Sequence, residues 1–121
     1  MKKITYFVVL LGALVLGGCS SHNNPDVVVA KCWTELASGN VKGALALVNI
    51  SAGQESVYEE MFAERAAKLQ EIGGVERVDI TSYEEGKTNA KVSATVVLAN
   101  GRTIPATYTL TKVERSWKID N

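Results

Sequence analysis

Apolar residues recur at Val29, Cys32, Trp33 and Leu36, the three-and-four spacing of one helix face. Pro25 suits a first helical position, Asn24 is placed to cap it, and Gly39-Asn40 supplies the stop. The spacing predicts a second, shorter helix over Val41–Val48 with Ala44, Leu45 and Val48 on its apolar side; Gly43 either lowers its propensity or permits close packing. After the loop "NISAGQ" a longer helix is predicted from Glu55 to Ile72. It turns Tyr58, Met61, Phe62, Ala66, Leu69 and Ile72 inward and Glu60, Glu64, Lys68 and Glu71 outward. Glu64 and Lys68 stand at the favourable four-residue spacing, and Gly73-Gly74 ends the helix.

From Val75 the period changes to two. "VERVDITSY" puts Val78 and Ile80 on one face, "EEGK" (Glu84 to Lys87) reads as a turn, and "AKVSATVVL" lines up Val92, Ala94, Val96 and Leu98. Asn100-Gly101 is a strong hairpin signal, with both central residues expected at positive φ. In "RTIPATYTLTKV", Ile104, Ala106, Tyr108 and Leu110 share one face and Thr103, Thr107, Thr109 and Thr111 the other. Pro105 removes a donor there, which implies an edge position, a bulge or a bend. "SWKID" aligns Trp117 and Ile119 in a last strand. The predicted class is α+β: three N-terminal helices, then a curved antiparallel sheet of about four strands with helices against one face.

The residues before this pattern have a different character. Met1-Lys2-Lys3 is followed by 13 uncharged, mostly apolar residues, "ITYFVVLLGALVL". A spanning helix needs about 20 apolar residues, so the segment reads as a secretory leader, set aside from the fold. Leu16-Gly17-Gly18-Cys19 resembles the lipobox of bacterial lipoproteins. The resemblance implies cleavage after Gly18, a diacylglyceryl group on the Cys19 thiol and acylation of the new amino terminus. Three parts follow: a leader over 1–18, a lipidated cysteine and polar tether "SSHNN" over 19–24, and a single domain over 25–121. One buried acyl chain gives marginal attachment at about 0.8 kcal/mol per methylene, whereas several hold the protein permanently on a membrane. Ser20 rather than aspartate follows the cysteine. By the sorting rules of bacterial lipoproteins this implies the periplasmic face of a Gram-negative outer membrane, or the outer face of a Gram-positive membrane.

Charge and chemistry narrow the picture further. Without residues 1–18, which carry Lys2 and Lys3, the chain has 11 basic and 13 acidic side chains, a net charge of −2. No basic cluster stands out, which disfavours nucleic acid as a partner. With Cys19 as the tether, Cys32 has no partner for an internal disulfide and reads as a small buried hydrophobe. His22, the only histidine, falls in the tether and has no companion at metal-ligand spacing; neither a metal nor a cofactor is expected.

The whole order, from "NPDVVVAKCWTELASGNVKGALALV" to "TNAKVSATVVLANGRTIPATYTLTKVERSWKID", resembles small lipoprotein domains of the nuclear transport factor two-like (cystatin-like) superfamily. The matching positions are the opening proline, Gly39-Asn40 with Ala44, Ala90 with Val92, the Asn-Gly hairpin, and the closing Leu110, Lys112, Trp117, Lys118, Ile119 and Asp120. The subgroup it most resembles is the lumazine-binding-like domain of unknown function. Asn40, where the family often has aspartate, and Pro105 depart from that pattern. The resemblance implies a sheet wrapped around the long helix as a cone whose open end holds a small molecule. It admits a homodimer, since superfamily members often pair through their sheets.

Some superfamily members are enzymes with an Asp, His or Tyr set in the cone. Here Asp79 alternates away from the face of Val78 and Ile80, and no inward carboxylate pairs with Tyr58 or Tyr108. No nucleophile elbow, phosphate loop or metal motif is present. Trp33, Tyr58, Phe62, Tyr108 and Trp117 read first as packing residues and second as the lining of a pocket. The expected function is therefore non-enzymatic: an envelope lipoprotein binding a small apolar ligand or a protein partner through its cone or sheet. The alternatives are a structural, partner-docking module and an isomerase- or hydrolase-like enzyme built on Tyr58 or Tyr108.

Overall fold

The structure, a computed structural model, describes residues 24–120. The leader, Cys19 and His22 lie outside the described residues. Helix α1 spans Pro25–Ala37. Asn24 has extended backbone, but its side chain makes no capping bond; the fixed φ of proline sets the start instead. Val28 joins the expected stripe, so Val28, Val29, Cys32, Trp33 and Leu36 are all buried. The face is wide because α1 is covered on two sides. It lies against β1 (Val75–Glu85), β2 (Asn89–Leu98) and β4 (Ser116–Ile119), and on the other side meets α2 (Val41–Leu45) and α3 (Glu55–Glu71). The sheet thus wraps α1, not the long helix as expected; α3 packs on α1 and α2 with a narrow stripe of Phe62, Ala66 and Leu69. Met61, expected inward, is 39% exposed.

The α1–α2 junction turns on Gly39, at φ 84°, and Asn40. Asn40 Oδ1 accepts from Gly43 N at 3.1 Å while its Nδ2 donates to Glu35 Oε2 at 2.7 Å. A Cβ on Gly43 would fall 2.1 Å from that Glu35 oxygen and 2.5 Å from Asn40 Nδ2, so the glycine serves close approach. Helix α2 ends at Leu45 rather than at Val48. The following residues pair with β4: Val48 bridges Ile119 in parallel, Asn49 N donates to Ile119 O (2.7 Å), and Ile119 N donates to Leu47 O (2.8 Å).

The four strands form one antiparallel sheet in the order β1-β2-β3-β4, with β3 spanning Thr103–Val113. Register shifts break β1 between Val75 and Arg77 and between Ile80 and Ser82. Such bulges bend a strand and change which face its residues take. The second brings Tyr83 opposite Val92, onto the face that Val78 and Ile80 share. That inner face continues through Ala90, Val92, Ala94 and Val96, and through Ile104, Ala106, Tyr108 and Leu110. Pro105 is tolerated for a geometric reason. Leu98 N donates to Arg102 O, so hydrogen-bonded pairs alternate from there and Thr95–Pro105 falls between them. The missing N–H thus faces away from β2. On that side β4 pairs only with Leu110–Val113, leaving Pro105 at an edge among the described residues.

Two hairpins show where turn chemistry departs from expectation. At Asn100-Gly101 only Gly101 has positive φ, 89°. Gly101 N donates to Leu98 O and Leu98 N to Arg102 O, which is the three-residue loop with a left-handed glycine, not the two-residue loop. The two-residue loop joins β3 to β4 instead, with Glu114 at φ 50° and Arg115 at φ 74°. Left-handed backbone costs a non-glycine residue about 1–2 kcal/mol, partly offset when glycine's extra unfolded freedom is counted. The double change Glu114→Asn with Arg115→Gly is therefore expected to raise the unfolding free energy by about 1 kcal/mol, read as a higher urea midpoint at unchanged slope.

Every core residue described lies between Val28 and Ile119. Residues 20–121 thus carry every core residue described.

Candidate ligand-binding site

Ala94 stands directly opposite Ala106 on the inner face of the sheet, and of the two only Ala106 borders a space. Helix α1 covers one half of the sheet, and α3 stands beside it on α1 and α2. Two spaces result.

The first is a cavity of about 290 Å³ between α1, α3 and the β3–β4 end of the sheet. Val29, Cys32, Trp33 and Leu36 come from α1, Tyr58, Met61, Phe62 and Arg65 from α3, and Val48, Tyr108 and Ile119 from the far wall. Tyr58 and Phe62 meet edge to face, with ring centroids 6.3 Å apart and planes at 80°. The second is a groove of about 600 Å³ between the C-terminal half of α3 and β3. Its walls are Leu69 and Ile72 on one side and Leu98, Ile104 and Ala106 on the other, with Lys68 and Glu71 at the rim. Trp33, Arg65 and Tyr108 belong to both spaces. The Trp33 indole N–H donates to the Tyr108 hydroxyl at 2.9 Å, and this pair is the partition between them.

Four of the five residues expected at a pocket, Trp33, Tyr58, Phe62 and Tyr108, converge on the cavity. Trp117 does not. It is 1% exposed and stands opposite Lys112, whose ammonium lies 5.2 Å from the ring centroid. Two residues nearer the β3–β4 turn than the cavity-lining Ile119, it is spent on packing the hairpin end. Arg65, not singled out by the sequence pattern, sits at the mouth of both spaces. Its signal was available: it follows Tyr58 by seven residues and Phe62 by three, so it lies on the apolar stripe.

Burial keeps the protons on two groups at the cavity, Cys32 and Tyr108. Burial pushes the Cys32 thiol up to about 11, with Arg65 pulling it down and Glu35 adding to the rise. The thiol lies 4.0 Å from the Ala44 carbonyl oxygen. Burial also raises Tyr108, against the opposing effect of the Trp33 hydrogen bond. No carboxylate is among the residues lining the cavity. Among the described residues no group of three His, Cys, Asp or Glu side chains converges as metal ligands would. Such a site can enclose apolar surface, offer a hydrogen bond at Tyr108, and place one cation at its mouth.

No protein-family model matches the chain, and no curated protein sequence does. Solved structures do resemble it. A Campylobacter jejuni protein that carries the provisional name NTF2-like transpeptidase superposes with a TM-score of 0.68 at 22% identity, over 82% of this chain and 99% of that one. A DUF4783 family protein from Bacteroides uniformis gives 0.54 at 16% identity, over 81% and 92%. A de novo designed protein of the NTF2 fold gives 0.53 at 14%, over 84% and 87%. At these identities the likeness is one of fold: helices followed by a curved four-stranded antiparallel sheet, the nuclear transport factor two-like cone.

Proposed function

We propose that this chain is a lipid-anchored protein of the bacterial envelope that binds a small apolar ligand and performs no catalysis. The observation that carries the binding reading is the partly open cavity beside the Trp33–Tyr108 pair. Its volume, about 290 Å³, stands at the lower end of the roughly 300–1,000 Å³ usual for ligand pockets, and its walls are apolar and aromatic. The non-enzymatic reading rests on protonation: at neutral pH both Cys32 and Tyr108 are neutral, and no carboxylate faces them as a base. The provisional name of the Campylobacter structure raises acyl transfer as a second reading. Transfer through Cys32 would need a thiolate in an exposed, electropositive setting, whereas this thiol is 6% exposed and raised. The anchor rests on Leu16-Gly17-Gly18-Cys19 and its apolar leader, and with it the placement at the periplasmic face of an outer membrane. The lumazine-binding-like resemblance is the source of the ligand-holding cone.

Two measurements test this reading. Mass spectrometry of the native protein is expected to find a chain starting at acylated Cys19, and Cys19→Ala to release it from membranes. An unmodified Cys19 would refute the anchor. Titration of residues 20–121 with the apolar fluorophore N-phenyl-1-naphthylamine is expected to saturate at one site, and Met61→Glu, at the cavity mouth, to remove it. A flat titration would refute the ligand.

A further inference from the structure

The groove between α3 and β3 has a polarity that the cavity lacks. Its floor and far wall are Leu69, Ile72, Leu98, Ile104 and Ala106, and Ile104 is 36% exposed at the open end. At the other end, beside the Trp33–Tyr108 pair, Arg65 stands on the rim with Lys68 one turn further along. Both cations are exposed, and neither makes an ion pair among the described residues, where the pairs are those of Arg77 with Glu76 and Asp79. Glu71 is the one acid at this rim, and it lies a further turn toward the C-terminus of α3. Glu64 adjoins both cations in a shallow hollow on α3 but does not line the groove. An apolar trough of about 600 Å³ therefore has two cations at one end of its rim and a negative charge away from them.

We propose that this groove seats a free, single-chain anionic amphiphile, its head on Arg65 and Lys68 and its chain along Leu69, Ile72 and Ile104. The inference deepens the binding reading above and rests on it. The complementarity is twofold. Carboxylate or phosphate oxygens make charge-assisted bonds to a guanidinium that makes no ion pair among the described residues. An alkyl chain removes from water the apolar surface left exposed because α3 does not close onto β3. One elongated chain suits the shape, since the trough is bounded on both long sides and open at the Ile104 end.

The test is calorimetric titration of residues 20–121 with decanoate and with decanol. Arg65→Gln, on the exposed face of α3, is expected to weaken decanoate roughly ten-fold, the loss of one charged hydrogen bond, and to leave decanol within about two-fold. Ile104→Trp, which fills the groove without adding charge, is expected to remove decanoate binding, and Met61→Trp, which fills the cavity mouth without adding charge, to leave it. Unchanged thermal midpoints establish that each variant is folded. Equal decanoate affinity in Arg65→Gln overturns the anionic head. Decanoate binding that survives Ile104→Trp but is lost in Met61→Trp overturns the groove while sustaining the cavity. Absence of decanoate binding alongside saturable N-phenyl-1-naphthylamine does the same, and absence of both overturns the groove and the cavity together.

Discussion

Trp117→Ala is expected to lower the unfolding free energy by about 3–5 kcal/mol, the range for emptying a buried tryptophan site. A domain of this size has about 5–15 kcal/mol in all, so the variant should be largely unfolded well below the wild-type midpoint. The argument is local. β4 has four residues, too few to hold themselves, and it is fixed between β3 and the Leu47–Asn49 segment. Trp117, 1% exposed, is the largest side chain that β4 contributes to the core, and Ile119 is the other. Without the indole, the hairpin end loses its packing and the parallel pairing of Val48 with Ile119 loses its support. Urea denaturation followed by far-UV circular dichroism reads the change. Val57→Ala, at a position 53% exposed on α3, is the control and should shift stability by no more than about 0.5 kcal/mol. A Trp117→Ala loss below about 1 kcal/mol would mean that the ring is not buried as described.

Most of this fold was legible because its signals are local. The proline at the start of α1, Gly39-Asn40 after α1, Gly73-Gly74 after α3, and the switch of period at Val75 each act within a few residues. The elements that escaped are set by distant partners. α2 stops at Leu45 because Leu47–Asn49 give their backbone groups to Ile119, some 70 residues on, and no window around residue 45 contains that information. Tyr83 changes face through a bulge that alternation cannot count. The tight turn at Glu114-Arg115 carries no turn residues; flanking strand pairing forces both into left-handed backbone. For the site, periodicity gave the aromatic residues that face inward and so brought four of them to the cavity. It could not separate Trp117, whose parity is the same but whose place is two residues nearer the turn. Nor could it show that Ile104, Ala106 and Tyr108 of β3 would face α3 across an open groove, since that depends on how the helices sit on the sheet. Arg65 was on the page at stripe spacing and passed over because charge is usually assigned to the solvent face.

Cys32 gives the second large effect, in pH. Its thiol titrates at about 11 in the folded chain against a reference of 9.0, because burial disfavours the thiolate more than Arg65 favours it. Between those values the unfolded chain holds fewer protons than the folded one at this site, so unfolding releases a proton and stability falls as pH rises. The contribution is complete below pH 9 and is lost as pH passes through 11, a total of roughly 2–3 kcal/mol for a shift of this size. Tyr108 is also raised by burial and acts in the same direction, so the quantity to measure is a difference: unfolding free energy from pH 8 to 11 for the wild type minus that for Cys32→Ala. The wild type is expected to fall more steeply. Glu35 and Arg65 are the charged groups acting on the thiol, and Arg65→Gln should steepen the fall further by removing the charge that opposes the shift. The same burial governs reactivity. At pH 8 a thiol raised from 9.0 to about 11 holds roughly 100-fold less thiolate, so its reaction with a disulfide reagent should be at least that much slower in folded residues 20–121 than in the urea-unfolded chain. A rate within a few-fold of the unfolded thiol would show an accessible, ionisable sulfur and would favour the acyl-transfer reading.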